Sequence, residues 1–137
     1  HLVLVITPDP RTLTHAYAAV KRLALEFARR RFDVLVSRAY DINDAQAIFQ
    51  RLSGVTSEFL GVSLRWVGFM PEDPIVRRTA LLRTTTLQAF PNSECATACR
   101  QLAAALPGWS SGGHGNASQL FERYLAATRH LAEEVLP

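Results

Sequence analysis

Short apolar or β-branched runs alternate along the chain with longer stretches in which apolar residues recur every three or four positions. Leu2-Val3-Leu4-Val5-Ile6 is continuously apolar, the pattern of a strand buried on both faces of a sheet. Thr7-Pro8-Asp9-Pro10 breaks it. Leu13, Ala16, Tyr17, Val20, Leu23, Ala24 and Phe27 then fall on one helical stripe. Thr12 or Thr14 can cap that helix, and Lys21, Arg22, Glu26 and Arg29 to Arg31 take the opposite face. Phe32 to Val36 reads as a second strand, stopped by Ser37-Arg38-Ala39-Tyr40-Asp41. Asp41 or Asn43 then caps a second helix with Ala45, Ile48, Phe49, Leu52, Val55 and Phe59 facing inward. Ser63 to Met70 is a third strand, closed by Pro71-Glu72-Asp73-Pro74, and Pro74 suits the first turn of a helix running to about Arg83. Thr84 to Ala89 is β-prone and reads as a short edge strand, and Ser93 to Leu106 as a further helix.

This alternation predicts an α/β fold, a parallel sheet with flanking helices, over residues 1–107. Residues 108–116 form a Gly/Ser linker by composition, and residues 117–137 an amphipathic helix with Leu120, Phe121, Tyr124, Leu125, Leu131 and Val135 on one face.

Composition narrows the chemistry. The chain has 137 residues, 48% apolar and 20% charged, enough for one real core. Of its 15 basic residues only Lys21 is lysine, and no glycine lies near it. A phosphate-binding loop of the form G-x-x-x-x-G-K-S/T needs both, so these residues contain none. The net charge of +3 is mild and carries no nucleic-acid signature on its own. Cys95 and Cys99 stand four apart in a helical stretch, and His1, His15, His114 and His130 are scattered, so neither a disulfide framework nor a metal set is legible. The pattern is that of a cytoplasmic protein with reduced thiols. No apolar run is long enough to span a bilayer. A strand beginning immediately after His1 suggests a piece of a longer protein.

Right-handed crossovers make the strands parallel and bring their C-terminal ends to one edge, where ligands of open α/β sheets bind. Thr7 to Pro10, Ser37 to Asp41 and Met70 to Pro74 converge there, each followed by a helix N-terminus that favours anions. For any one of Asp9, Asp41 and Asp73, helix capping is the ordinary role. Their recurrence along one edge points to a ligand site. No nucleophile and base pair is legible, neither a G-x-S-x-G elbow nor a cysteine with a histidine.

The ordered series Ile6-Thr7-Pro8-Asp9-Pro10-Arg11-Thr12-Leu13-Thr14-His15-Ala16-Tyr17, Leu35-Val36-Ser37-Arg38, Arg51 to Val62, Gly68-Phe69-Met70-Pro71-Glu72-Asp73-Pro74 and Ala89-Phe90-Pro91-Asn92-Ser93 resembles the C-terminal half of MinD/ParA-type deviant-Walker P-loop ATPases. Similarity is greatest to the flagellar-number regulators of the FlhG/FleN type and covers roughly residues 2 to 106. The resemblance implies a partial P-loop NTPase fold and a switch that binds ATP or ADP with magnesium, forms a homodimer, and meets membrane in its ATP state. It implies a flagellar GTPase and a transcriptional activator as partners, and a location at the inner membrane or cell pole. By resemblance Ser37, Arg38, Pro71, Glu72 and Asp73 belong to the adenine side of the site, and Pro8 and Asp9 to a loop near the nucleotide and the dimer interface. The family's usual adenine-binding asparagine is Ser37 here, its common glutamate is Asp9, and the flagellar branch's aspartate is His15. The phosphate-binding lysines, magnesium-binding threonine and switch aspartates of the family have no counterpart in these residues, so no catalytic residue is assigned and ATP turnover is not expected from this chain alone.

Two other readings compete. A non-enzymatic regulatory or scaffold module would keep the fold and lack the nucleotide. A partitioning-type protein would bind DNA non-specifically through Arg29 to Arg31, Arg77, Arg78 and Arg83, although such arginines are usually a solvated surface. The 117–137 helix would give peripheral membrane contact, but Glu122, Glu133 and Glu134 dilute Arg123 and Arg129 on its polar face.

Overall fold

A computed structural model describes residues 2–108. The predicted linker and amphipathic helix, apart from Gly108, lie outside the described residues. The strands β1 (Val3–Ile6), β2 (Arg31–Ala39) and β3 (Ser63–Pro71) form a parallel sheet in the order β1-β2-β3. Val3 pairs with Asp33, and Arg31 with Ser63. The helices α1 (Pro10–Phe27) and α2 (Ile42–Leu60) are the two crossovers. Both connections step to the next strand in the same direction, so right-handedness puts both helices on one face. Beyond β3 come α3 (Ile75–Leu81), α4 (Thr86–Ala89) and α5 (Glu94–Ala105), the last closed by a 3-10 turn ending at Gly108.

The core lies between the sheet and α1 and α2. Ile6, Val34, Val36 and Ala39 meet Ala16 of α1 and Ala45, Ile48, Phe49 and Leu52 of α2, while Phe32 and Val62 meet Val20, Leu23 and Ala24. Burying each large apolar side chain stabilises the fold by about 1.5 to 3 kcal/mol. Phe49 meets Trp66 edge-to-face with ring centroids 5.5 Å apart.

The opposite face is covered only in part. α5 lies over β3, where a Cβ on Gly68 would stand 2.5 Å from Leu102 Cδ2 and 3.9 Å from Leu35 Cδ1. Gly68 has φ +148°, so glycine is required both by the backbone and by the helix that presses on it. On the same face Arg65 grips Asp33 through two hydrogen bonds of 2.7 Å, from Nε and Nη2.

Several sequence expectations are corrected. β1 is not buried on both faces, since Val5 is 55% exposed. Asp9, not Thr12 or Thr14, caps α1, because Pro10 at the first helical position starts the helix earlier than its apolar stripe. β2 does not stop at Val36. Ser37 and Ala39 stay paired with Met70 and Pro71 across an irregularity at Arg38, whose φ is +60°. Val55 and Phe59 follow the phase of the α2 stripe but are exposed. Thr84 to Ala89 is no strand: Thr85 accepts a hydrogen bond from the Gln88 amide and starts α4. Gly61 closes α2 in the left-handed conformation with φ +59°, and Ala28 closes α1 with φ +53°, where an L side chain is strained.

Candidate functional site at the carboxyl edge of the sheet

The pairings of Ile6 with Val36, Ser37 with Met70 and Ala39 with Pro71 align the three strand ends, so the three loops do converge. On the first loop, the Asp9 carboxylate accepts the Arg11 amide at 2.9 Å and is gripped by the Arg11 guanidinium, with Nη2 at 2.9 Å from Oδ2. These hydrogen bonds hold the Asp9 carboxyl below the usual 3.8. Behind it the hydroxyls of Thr7 and Thr12 lie 3.0 Å apart, and the Thr7 amide donates to Thr12 Oγ1 at 3.2 Å.

On the second loop, the left-handed backbone of Arg38 turns its side chain toward the third, and its Nε donates to Glu72 Oε2 at 2.8 Å. That bond raises the Arg38 pKa, with a smaller contribution from the charge of Asp9, so the three residues share one electrostatic neighbourhood. The Glu72 amide donates to the Ala39 carbonyl at 2.8 Å, which fixes the third loop to the second. Asp41 accepts the Asp44 amide at 2.8 Å, and Asp44 in turn accepts the Tyr40 amide at 3.0 Å, a reciprocal cap on α2.

On the third loop, Asp73 divides its carboxylate between two helices. Oδ1 accepts the Ile75 amide at 3.0 Å and Oδ2 accepts the Cys95 amide at 3.2 Å. It thereby holds the starts of α3 and α5 together. The neighbouring Cys95 thiol is buried, and desolvation followed by the proximity of Cys99 pushes its pKa up from 9.0.

Thus Pro8, Asp9, Ser37, Arg38, Pro71, Glu72 and Asp73 do lie along one edge. The anion-favouring helix N-termini read from the sequence are corrected. Those of α1, α2, α3 and α5 are occupied by the chain's own Asp9, Asp41, Asp73 and Ser93. Asp9, Asp41, Asp44, Glu72 and Asp73 also outnumber Arg11 and Arg38 along this edge. Among the described residues no three histidine, cysteine or carboxylate side chains group as metal ligands. Sequence reasoning missed Arg11 as the partner of Asp9 and Arg38 as the partner of Glu72. The first could have been read from D-P-R at a helix start, whereas the second depends on a register 34 residues away.

No protein-family model matches the chain. Among curated proteins, 108 residues match the antiactivator FleN of Pseudomonas aeruginosa at 32% identity, covering 79% of this chain. Over these residues the chain is similar to FleN, in line with the MinD/ParA-type resemblance of its motifs. It spans 39% of the length of FleN, so most of that relative has no counterpart here. The three-stranded parallel sheet with helices on it is consistent with part of a P-loop NTPase fold. Among the described residues no helix is long and apolar enough to cross a membrane.

Proposed function

We propose that this chain is the C-terminal, adenine-side portion of a FleN-like ATPase that regulates flagellar number and placement. The similarity to FleN carries the reading, supported by the junction of Arg38 with Glu72 at the sheet edge. Ser37, Arg38 and Pro71 would line the base of ATP or ADP, while Glu72 and Asp73 hold that wall in place. The phosphates and magnesium do not fit the residues present, because the helix N-termini are capped by internal side chains and Lys21 lies inside α1 with no glycine-rich turn before it. They would be held by a part of the protein outside the matched stretch. By the same analogy the intact protein would form an ATP-dependent homodimer, act against an activator as the antiactivator name of FleN indicates, and work with a flagellar GTPase at the cytoplasmic face of the membrane.

Calorimetric titration with ATP, ADP and adenosine tests this. Adenosine and ATP are expected to bind with similar weak affinity, since only the base side is present, and ATP turnover is expected to be absent. Turnover by the 137-residue protein alone, or ATP binding far tighter than adenosine, would overturn it. A non-enzymatic regulatory module of the same fold is the second reading, favoured by Ser37 in place of an amide and by the acidic edge. Complete lack of nucleotide binding, with activator binding retained, would select it.

A further inference from the structure

We propose that the outer face of α3 and the turn after it form a lipid-contact tip, in which Leu81 and Leu82 enter the headgroup region of an anionic membrane and Arg77, Arg78 and Arg83 meet its lipid phosphates. The contact needs no nucleotide, so it stands apart from the functional reading above, and it is separate from residues 117–137. Residues 74–93 contain three arginines and no carboxylate. Within α3, Arg77 stands four before Leu81 and Arg78 four before Leu82, so each arginine shares a strip of helix surface with a leucine. Thr79 is the buried residue of α3, and helical spacing puts Arg77 and Leu81 on the side away from it. Leu81 is 85% exposed and Leu82 62% exposed. Side chains that open project from the surface and line no groove. Arg77, Arg78 and Arg83 are exposed as well, and none forms an ion pair among the described residues. Arg78 lies over the Phe90 ring, 5.7 Å from its centroid, a contact that orients its charge without neutralising it.

The backbone of the tip is prepared for a medium poor in water. The amides of Leu82, Arg83 and Thr84 donate to the carbonyls of Arg78, Ala80 and Thr79 at 3.1, 3.2 and 3.3 Å. The Thr79 hydroxyl donates to the Val76 carbonyl at 2.8 Å and meets the Thr86 hydroxyl at 3.3 Å. These amides are not stripped of water unpaired when the tip enters the headgroup region, the cost that keeps most turns out of lipid. Charge chooses an anionic occupant, because arginines without acids complement a negative surface, and each arginine near such a membrane strengthens attachment about fivefold. The leucines choose among anionic occupants. Nucleic-acid phosphates would use the arginines alone, and a protein helix would need a groove, whereas two projecting leucines among arginines fit a lipid surface that closes around them.

The 137-residue protein, without nucleotide, would be co-sedimented with phosphatidylcholine vesicles containing about one-third phosphatidylglycerol. Binding is expected, with at least a tenfold loss on phosphatidylcholine alone and in about 0.5 M salt. Leu81→Glu with Leu82→Glu should weaken it at least tenfold, and so should Arg77→Gln with Arg83→Gln. Both double variants are expected to melt within about 2 °C of the wild type, because the replaced side chains are largely in water. Phe121→Glu with Leu125→Glu, which removes apolar residues from the C-terminal segment, should retain binding that still depends on Leu81 and Leu82. No vesicle binding, binding that ignores Leu81 and Leu82, or binding abolished by Phe121→Glu with Leu125→Glu would each overturn the proposal, the last by assigning the lipid contact to the C-terminal segment. Duplex DNA is the remaining probe: binding to it that needs Arg77 and Arg83 but not the leucines, without vesicle binding, would overturn the lipid contact in favour of a phosphate-backbone contact.

Discussion

Replacing Gly68 by alanine sets two costs against the fold that can be measured apart. The first is conformational: φ is +148°, and an L residue held there costs about 1 to 3 kcal/mol. The second is steric, since the new Cβ would stand 2.5 Å from Leu102 Cδ2. That atom is the end of a flexible side chain, so the overpacking cost falls toward the low end of about 1 to 3 kcal/mol. Gly68→Ala is therefore expected to destabilise the protein by about 2 to 4 kcal/mol, a fall in Tm of roughly 10 to 20 °C. Urea unfolding of Gly68→Ala, Leu102→Ala and the double variant separates the terms. Removing the leucine side chain should relieve about 1 kcal/mol of the alanine penalty and leave the backbone cost intact. A Gly68→Ala variant within about 0.5 kcal/mol of wild type would refute the reasoning. Strict additivity would refute the steric half alone.

Ala28→Gly should raise stability by about 0.5 to 1 kcal/mol in thermal unfolding, because Ala28 sits at φ +53°, and Gly61→Ala should lower it by a similar amount. Asp73→Ala leaves the Ile75 and Cys95 amides without their carboxylate and is expected to cost roughly 2 kcal/mol by denaturant titration, with Asp73→Asn recovering part of it. The lowered pKa of Asp9 means its contribution to the start of α1 is fully present above the unfolded value near 3.8 and is lost as pH falls through the lower folded value. Carboxyl NMR titration should show Asp9 titrating below 3.8, and a midpoint at or above it would contradict the Arg11 grip. Thiol labelling of the native protein at neutral pH should modify Cys99 well before Cys95, whose thiol is buried and has its pKa raised, and equal rates would show that the start of α5 opens freely.

The sheet and its two crossover helices were legible because their signals are local. The stripe from Leu13 to Phe27 sets the face of α1, and Ala16, Val20, Leu23 and Ala24 are buried on it. What the pattern lacked was extent. Val55 and Phe59 have the right phase, but phase cannot say how little of them is covered. Ser37 and Arg38 are polar, yet β2 runs through them because β3 supplies partners there. The threonines at 84 to 86 favour strands by shape, but their hydroxyls serve a cap and a contact of 3.3 Å between Thr79 and Thr86. At the carboxyl edge the sequence brought three loops together, and the strand pairing does the same. The sequence could not show that Asp73 accepts an amide 22 residues further on and so braces the start of α3 against that of α5.

The sheet's order also shapes the way the chain folds. Val3 pairs with Asp33 and Arg31 with Ser63, separations of 30 and 32 residues, so each strand's first neighbour arrives one β-α unit later. Loop closure over such a span costs little more than over half of it. The sheet can thus grow outward in the order of synthesis, each new strand finding its template already in place. α5 then closes over a similar span, bringing Leu102 back to Gly68 on the second face of β3. A nascent chain halted short of α5 would leave the Gly68 face of β3 without Leu102.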